Sequence, residues 1–262
     1  MRPRFSQNFL VRADIARAIV RALEIAPVDS VLEIGPGRGI LTQTLLKEAD
    51  SVTAVEIDAE ISQGLEQRWG DYARFRVIRG DFLQVNLAEI FESPAKKVKV
   101  IGNLPYAVTS PILQKVLEWP LWSSAVFMVQ KEVADRIRAK PGTKNYGVLT
   151  VSVQSRCRVE KVMKVSPYAF RPVPKVESTV LRLSPLNQAL FGSAEEEIFF
   201  KTVKAAFAHR RKTAANSMAD ALDISAEEAR NALQRSNLSP TARGETFSVE
   251  DFARLARILY NR

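Results

Sequence analysis

The stretch "SVLEIGPGRGILT", residues 30–42, decides the fold of this 262-residue chain. A short apolar and β-branched run leads into three glycines, Gly35, Gly37 and Gly39, and then into a helical pattern. Glycine lets the backbone turn sharply and approach a ligand closely, while the next helix presents its N-terminus to that ligand. The stretch therefore predicts a strand, a tight turn and a helix. Taken alone, it fits an ordinary strand-to-helix turn as well as a ligand-binding loop.

The same alternation of strands and helices continues from residue 30 to residue 130. The predicted strands are SVLEIG (30–35), VTAVEI (52–57), FRVIRG (75–80), VKVIGNL (98–104) and AVFMVQ (125–130). The predicted helices are ILTQTLLKEA (40–49), AEISQGLEQRW (59–69), QVNLAEIF (84–91) and SPILQKVLEW (110–119). Such alternation is typical of an α/β protein with a doubly wound, parallel sheet, in which each helix is a right-handed crossover.

The pattern changes in the second half of the chain. Residues 145–159 fit a strand or a helix equally well, while VEKVMKVS (159–166) and KVESTVLRLS (175–184) predict strands. Between these strands, SPYAFRPVPK (166–175) predicts an extended, rigid loop, because proline fixes φ and restricts the residue before it. The tail beyond is helical throughout. We expect a ligand-binding domain over residues 1–184 and a small all-helical domain over residues 185–262.

Two helix starts in the tail have a capping-box spacing. Ser225 precedes Glu228 by three residues, and Ser248 precedes Asp251 by three residues, although aspartate replaces the usual glutamate or glutamine in the second case. The spacing predicts that helices begin directly after the two serines.

Charge and composition narrow the class of partner. Lysine and arginine number 38 against 29 acidic residues, a net charge of +9, which favours a polyanionic partner such as nucleic acid. The basic residues are scattered, no run of about eighteen apolar residues occurs, and no cleavable signal is visible, so we expect no membrane association. Cys157 and His209 are the only residues of their kinds, which predicts neither a disulfide nor a metal cluster. We expect a monomer in the reducing cytoplasm.

Acidic residues follow the second and third predicted strands. Glu56 lies 21 residues after Gly35, where a carboxylate can accept hydrogen bonds from ribose hydroxyls. Asp81 follows the third strand and can accept a hydrogen bond from an adenine amino group, although it also fits a helix N-cap. The third glycine comes one residue early for the dinucleotide fingerprint, and no loop remains for a pyrophosphate. These features favour S-adenosylmethionine over NAD.

The stretch "IGNLPYAVTSP", residues 101–111, ends the fourth predicted strand. In a doubly wound sheet this strand lies beside the first, so Asn103 emerges next to the glycine loop, where ligands bind. Pro105 biases Leu104 towards an extended conformation, which leaves the Leu104 carbonyl oxygen available. That oxygen and the Asn103 amide oxygen can together accept both N–H groups of an exocyclic amine. Tyr106 can then stack on the base that carries the amine.

Motifs along essentially the whole chain resemble the rRNA adenine dimethyltransferases, and most closely the bacterial small-subunit (16S) enzymes, the KsgA family. They are FSQNFL (5–10), VLEIGPGRGILT (31–42), VEID (55–58), GD (80–81), NLPY (103–106), MVQKEVADRI (128–137), FRPVPKVESTV (170–180), FAHRRKT (207–213) and FSVEDFARLA (247–256). The resemblance implies a Rossmann-like methyltransferase domain, S-adenosylmethionine as cofactor, and small-subunit rRNA within a pre-30S ribosomal particle as substrate. The target would be two adjacent adenosines in a hairpin loop near the 3′ end.

The resemblance also assigns site residues. Tyr106 and Phe170 would sandwich the target adenine, while Asn103 and Leu104 would hold its amine. The candidate cofactor-binding residues are Asn8, Leu10, Gly35, Gly37, Glu56, Ile57, Asp81, Phe82 and Asn103. The candidate RNA-binding residues are Arg210, Arg211 and Lys212, with Arg2, Arg4 and Lys175 as weaker candidates.

Two other functions remain open. The erythromycin-resistance methylases share the Asn-x-Pro-Tyr core but modify large-subunit rRNA, and the tail motif FSVEDFARLA is closer to the small-subunit group. Alternatively, the chain could be a basic ribosome-assembly factor with a vestigial methyltransferase fold. The intact cofactor set argues against this, since RNA binding alone requires neither Asn103 nor Glu56.

Overall fold

The computed structural model describes residues 8–91, 96–209 and 211–260. Their contacts divide the chain into two compact units. The first unit comprises Met1–Ala134 and Arg158–Pro185, and the second comprises Asp135–Cys157 and Leu186–Arg262.

The first unit contains a seven-stranded sheet and a two-stranded ribbon. The strands are β1 (Phe9–Leu10), β2 (Ser30–Ile34), β3 (Ser51–Glu56), β4 (Phe75–Arg79), β5 (Val98–Asn103), β6 (Trp122–Gln130), β7 (Cys157–Val165), β8 (Phe170–Arg171) and β9 (Ser178–Pro185). The sheet has the order β4-β3-β2-β5-β6-β9-β7, and β1 pairs with β8 in the ribbon. All five strands predicted between residues 30 and 130 are confirmed.

The parallel pairs place the switch point of the sheet at β2. This strand pairs in parallel with β3 on one side and with β5 on the other. Ile34 lies opposite Gly102, so the glycine loop after β2 and Asn103 at the end of β5 emerge together. The doubly wound α/β fold is thereby confirmed. An antiparallel strand that the sequence did not predict as such, β9, continues the sheet beyond β6.

Helices of the first unit alternate with the parallel strands. They are α1 (Ala13–Arg21), α2 (Thr42–Glu48), α3 (Ala59–Trp69), α4 (Leu87–Ile90) and α5 (Thr109–Glu118), and α6 (Lys131–Ile137) follows β6. Asp58 caps α3 by accepting hydrogen bonds from the backbone N–H groups of Glu60 and Ile61. The sequence did not predict α1, although Ile19 and Val20 on this helix are fully buried in the core.

The second unit is helical. Its helices are α7 (Val148–Gln154), α8 (Glu196–Phe207), α9 (Ala214–Leu222), α10 (Ala226–Arg235) and α11 (Val249–Tyr260). Both predicted capping boxes form: Ser225 and Glu228 exchange hydrogen bonds before α10, and Ser248 and Asp251 do so before α11.

The predicted domain boundary needs one correction. It falls one residue before the end of β9, but residues 135–157 belong to the second unit. Tyr146 is buried there and its hydroxyl donates a 2.8 Å hydrogen bond to the Phe247 carbonyl oxygen. The ambiguous stretch 145–159 contains α7 and then the start of β7. Among the described residues, no helix is long and apolar enough to cross a membrane.

Candidate active site

The glycine loop after β2 forms the floor of a cavity at the carboxyl edge of the sheet. Gly35 and Gly37 have φ values of +66° and +54°, a left-handed conformation that side chains other than glycine rarely adopt. A Cβ at Gly35 would project into space where the only atom within 4 Å is the Asn103 carbonyl oxygen, at 3.8 Å. The loop therefore leaves room for a ligand between the ends of β2 and β5.

Glu56, the last residue of β3, fixes this loop. Its side chain is only 3% exposed, and one carboxylate oxygen accepts the Gly37 N–H at 3.1 Å while the other accepts the Asp58 N–H at 3.0 Å. Burial raises the pKa of Glu56, and these two backbone donors oppose the shift. Each carboxylate oxygen can accept two hydrogen bonds, so Glu56 retains acceptor capacity for the predicted ribose hydroxyls.

Glu33 lies on β2, next to the glycine loop, and was not predicted as a site residue. It is fully buried, and the Thr42 hydroxyl donates a 2.6 Å hydrogen bond to one carboxylate oxygen. The other oxygen, Oε1, has no hydrogen-bond partner within the described ranges. Burial raises the pKa of Glu33 to about 7, and the nearby carboxylate of Glu56 contributes to the rise. Neighbouring strand ends thus carry two buried carboxyl groups.

Asp81 and Phe82 form the far wall of the cavity. One Asp81 carboxylate oxygen caps the local turn by accepting the Leu83 N–H at 2.9 Å. None of the described residues donates a hydrogen bond to the other oxygen. Asp81 is not the N-cap of the next helix, because Asn86 caps α4. Its turn-capping contact leaves the predicted role towards an adenine amino group open.

Lys115 on α5 contacts the same wall, and no sequence pattern predicted this contact. Its ammonium donates hydrogen bonds to the carbonyl oxygens of Leu83 at 2.9 Å and Val85 at 2.5 Å, and lies 5.4 Å from the centre of the Phe82 ring. Burial lowers the pKa of Lys115, and the charge of Asp81 opposes the shift. A lysine in an otherwise ordinary amphipathic helix has no motif around it that could have revealed this contact.

Asn103 and Leu104 both line the cavity, and each carries one oxygen atom that could accept a hydrogen bond from a ligand. The Asn103 side-chain amide donates to the Asn8 carbonyl oxygen at 3.4 Å, which orients its own oxygen away from that contact. The Leu104 N–H donates to the Met128 carbonyl oxygen at 3.0 Å. None of the hydrogen bonds among the described residues uses the Leu104 carbonyl oxygen. The arrangement offers two hydrogen-bond acceptors, as an exocyclic amine requires.

Tyr106 and Phe170 differ in their positions. Tyr106 begins the turn after Pro105, is half-buried and lines the cavity. Phe170 is 1% exposed and packs in the hydrophobic core of the first unit, outside the lining of the cavity. No contact of its ring with the cavity is seen among the described residues, so its role as a stacking partner stays a prediction.

The residues around the cavity fit S-adenosylmethionine. Every predicted cofactor-binding residue lines it, from Asn8 and Leu10 to Asn103, and the volume is about 160 Å³, against roughly 10–15 Å³ for one water molecule. Glu56 and Asp81 supply acceptors for ribose hydroxyls and an adenine amine, while Ile57 and Phe82 supply apolar surface for a flat base. Arg38, which also lines the cavity, was not predicted as a site residue.

The predicted RNA-binding residues lie only partly within the described chain. Arg211 and Lys212 are exposed between α8 and α9, and the Lys212 ammonium pairs with Asp220 at 2.5 Å. Lys175 is exposed in the first unit. Arg2, Arg4 and Arg210 lie outside the described residues.

Comparison with known proteins identifies the family. The family model described as ribosomal RNA adenine dimethylase matches residues 1–260. A ribosomal RNA small subunit methyltransferase A from Clostridium botulinum (strain Okra / Type B1) is 40% identical over 256 residues, which cover 97% of this chain and 92% of the relative.

Two solved structures are also similar. A dimethyladenosine transferase from Plasmodium falciparum has a TM-score of 0.80 and 26% identity over 94% of this chain and 95% of its own. The 23S rRNA methyltransferase ErmE has a TM-score of 0.72 and 29% identity over 96% of this chain and 99% of its own. With a family match that spans essentially the whole sequence, the chain belongs to the ribosomal RNA adenine dimethylase family.

Proposed function

We propose that the chain transfers methyl groups from S-adenosylmethionine to the exocyclic amines of two adjacent adenosines in small-subunit rRNA. The observation that carries the proposal is that Asn103 and Leu104 line the cavity, and that no hydrogen bond among the described residues uses the Asn103 side-chain oxygen or the Leu104 carbonyl oxygen. The relatives named small subunit methyltransferase support the substrate. The hairpin loop near the 3′ end of the rRNA is the target that the sequence resemblance implies.

The chain activates the amine through hydrogen bonds. An adenine amine has two N–H groups, and its lone pair is normally delocalised into the ring. When Asn103 and Leu104 accept both N–H groups, they hold the nitrogen so that the lone pair points out of conjugation and into the cavity. Bound S-adenosylmethionine supplies an electrophilic methyl group on a positively charged sulfur. The enzyme's contribution is then positioning and electrostatics, and the amine proton leaves to water.

Tyr106 supports the base that carries the amine. A base inside a folded RNA must leave its stack to enter a cavity of this kind. Stacking on an aromatic side chain contributes roughly 1–3 kcal/mol per base, which offsets part of the cost of unstacking. Tyr106 lies three residues after Asn103, so the same segment positions both the base and its amine.

The second methylation uses the same acceptors. After the first transfer the amine retains one N–H group, and either Asn103 or Leu104 is sufficient to orient it. Space for the added methyl group is required at the other acceptor. We therefore propose that one cavity performs both transfers, without a second site.

Affinity for RNA comes from the basic surface, with Arg211 and Lys212 of the second unit as proposed contacts. We propose residues 185–262 as the RNA-binding part of the chain, and a cytoplasmic monomer acting on a pre-30S particle. Large-subunit specificity of the ErmE kind is the second candidate, because that enzyme has a TM-score of 0.72 with this chain.

One assay tests the function. The full chain is incubated with radiolabelled S-adenosylmethionine and offered unmethylated small ribosomal subunits, naked large-subunit rRNA and DNA in parallel. We expect label only on small-subunit rRNA, as dimethyladenosine. Label only on large-subunit rRNA would establish the resistance activity instead. Binding to small subunits without any label would indicate a ribosome-assembly factor that is not a methyltransferase.

A further inference from the structure

The ribbon formed by β1 and β8 has one buried face and one outward face. Leu10 lies opposite Phe170, and these side chains are only 6% and 1% exposed. Phe9 lies opposite Arg171. Because side chains alternate between the two faces of a strand, Phe9 and Arg171 share the outward face. Phe9 lines the cavity, as Leu10 does, so β1 of this ribbon borders the cavity.

Tyr168 lies three residues before Arg171 in the chain and is 78% exposed. It belongs to the short turn Pro167–Ala169 that leads into β8. An aromatic side chain this exposed contributes little to the hydrophobic core, so its placement has no explanation in the stability of the fold. One such residue is unremarkable on a protein surface, but its neighbours here are basic.

Arg171 is held beside Tyr168. Its guanidinium Nη1 donates to the Phe170 carbonyl oxygen at 2.8 Å and to the Tyr168 carbonyl oxygen at 3.4 Å. A guanidinium has five N–H donors on three nitrogens, so this anchoring leaves Nε and Nη2 for another acceptor. The group is therefore fixed next to the tyrosine and can still bind an anion.

The surroundings are positively charged. Arg38 is exposed and its guanidinium carbon lies 4.8 Å from the centre of the Phe9 ring. Residues 158–176, which lead into and out of β8, contain five lysines or arginines and a single acidic residue, Glu160. Exposed aromatic rings among fixed positive charges are the surface that single-stranded nucleic acid recognises.

We propose that Tyr168 and Arg171 bind the single-stranded RNA next to the target adenosine. Tyr168 stacks on an unpaired neighbouring base, and Arg171 contacts a phosphate between that base and the cavity. The inference rests on the proposed function and extends it from the reacting base to its neighbour in the loop. The excess of positive charge favours RNA over a protein partner at this surface.

Fluorescence anisotropy of the full chain with a fluorescein-labelled hairpin RNA, whose unpaired loop carries two adjacent adenines, tests the proposal. Tyr168→Ala should raise the Kd for this RNA by between about 5- and 150-fold, the range that loss of a stacked base implies. Tyr168→Phe should retain the wild-type Kd within about twofold, because the ring remains. Tyr72→Ala is the matched control, since Tyr72 is 53% exposed elsewhere in the first unit.

Arg171→Ala should lower the salt dependence of RNA binding. Loss of one phosphate contact to a single strand reduces the slope of log Kd against log salt by roughly 0.7. The Kd for S-adenosylmethionine, measured by calorimetry, should be unchanged in both alanine variants, which also confirms that they are folded.

The outcomes separate this inference from the proposed function. If Tyr168→Ala binds the hairpin as tightly as Tyr72→Ala does, or Tyr168→Phe loses as much as Tyr168→Ala, the stacking role is wrong. An unchanged salt slope for Arg171→Ala overturns the phosphate contact, and a protein partner then becomes the explanation for this surface. Failure of the wild-type chain to methylate small subunits, with the Tyr168 effect intact, would overturn only the proposed function.

Discussion

Replacement of Glu33 by glutamine should stabilise the first unit, and the gain should grow with pH. Glu33 is fully buried with one oxygen unpaired among the described residues, and its pKa is raised from 4.5 to about 7. Between these pH values the carboxyl group is neutral in the folded protein and ionised in the unfolded chain. The folded state therefore binds more protons, and the free energy of unfolding falls as pH rises through this window.

The size of the effect follows from the two pKa values. A pKa that rises from 4.5 to about 7 on folding corresponds to roughly 3 kcal/mol, at 1.36 kcal/mol for each pH unit. This loss of stability in the wild type is absent below about pH 4.5 and complete above about pH 7. Glutamine has nearly the shape of the protonated acid and does not titrate, and its carbonyl oxygen can still accept the Thr42 hydroxyl. Glu33→Gln should therefore gain roughly 3 kcal/mol over the wild type between pH 4.5 and pH 8.

Urea unfolding at a series of pH values, followed by tryptophan fluorescence, measures this difference. All three tryptophans lie in the first unit, at positions 69, 119 and 122, so their signal reports on the unit that contains Glu33. Glu48→Gln, an exchange at an exposed position on α2, provides the baseline for removal of a carboxylate. Parallel pH profiles for wild type and Glu33→Gln, or an advantage that shrinks as pH rises, would refute the reasoning.

Three further predictions concern the active site. Asn103→Ala should lower the rate of methyl transfer by about 100-fold or more, as loss of a preorganised hydrogen-bonding partner does. A single-turnover rate equal to that of the wild type would contradict the role of the Asn103 oxygen. Tyr106→Phe should keep most of the activity while Tyr106→Ala loses about 5- to 150-fold in kcat/KM for RNA, and equal losses would count against stacking. Lys115→Met should raise the Kd for S-adenosylmethionine about tenfold by releasing the Leu83 carbonyl, since a hydrogen bond to a charged group contributes roughly 1.5–3 kcal/mol. Lys97→Met is its control, because Lys97 also binds a backbone carbonyl oxygen, that of Pro120, and calorimetric values equal for both variants would disprove the Lys115 contact.

Local patterns in the sequence predicted the centre of the fold. Strands β2 and β5 have long apolar, β-branched runs, and the order of a doubly wound sheet makes them neighbours. The glycine spacing identified the loop because its backbone angles require glycine at Gly35 and Gly37. Cavity residues close to these two strand ends were therefore predictable from position alone.

Features that depend on distant contacts were not predictable. β1 and β8 each have two residues, and they pair across roughly 160 positions, which no local periodicity can indicate. The helix α7 contains the β-branched run VLTVSV, and tertiary packing of Val151 and Val153 overrides its strand propensity. The resemblance carried by FRPVPKVESTV assigned Phe170 to the target adenine, but only the pairing with Leu10 and the burial of both residues show that Phe170 packs in the core.

Backbone atoms determine much of the geometry at the cavity. The proposed amine acceptor at Leu104 is a carbonyl oxygen, Asn103 donates to the carbonyl oxygen of Asn8, and Glu56 accepts the N–H of Gly37. Such atoms are placed by the strands that carry them, so the precision of the site derives from the register of the sheet. A substitution at a cavity side chain should then alter one contact, whereas a change that shifts β2 against β5 should disturb the glycine loop and both amine acceptors together. The catalytic geometry therefore depends directly on the stability of the β2–β5 pair.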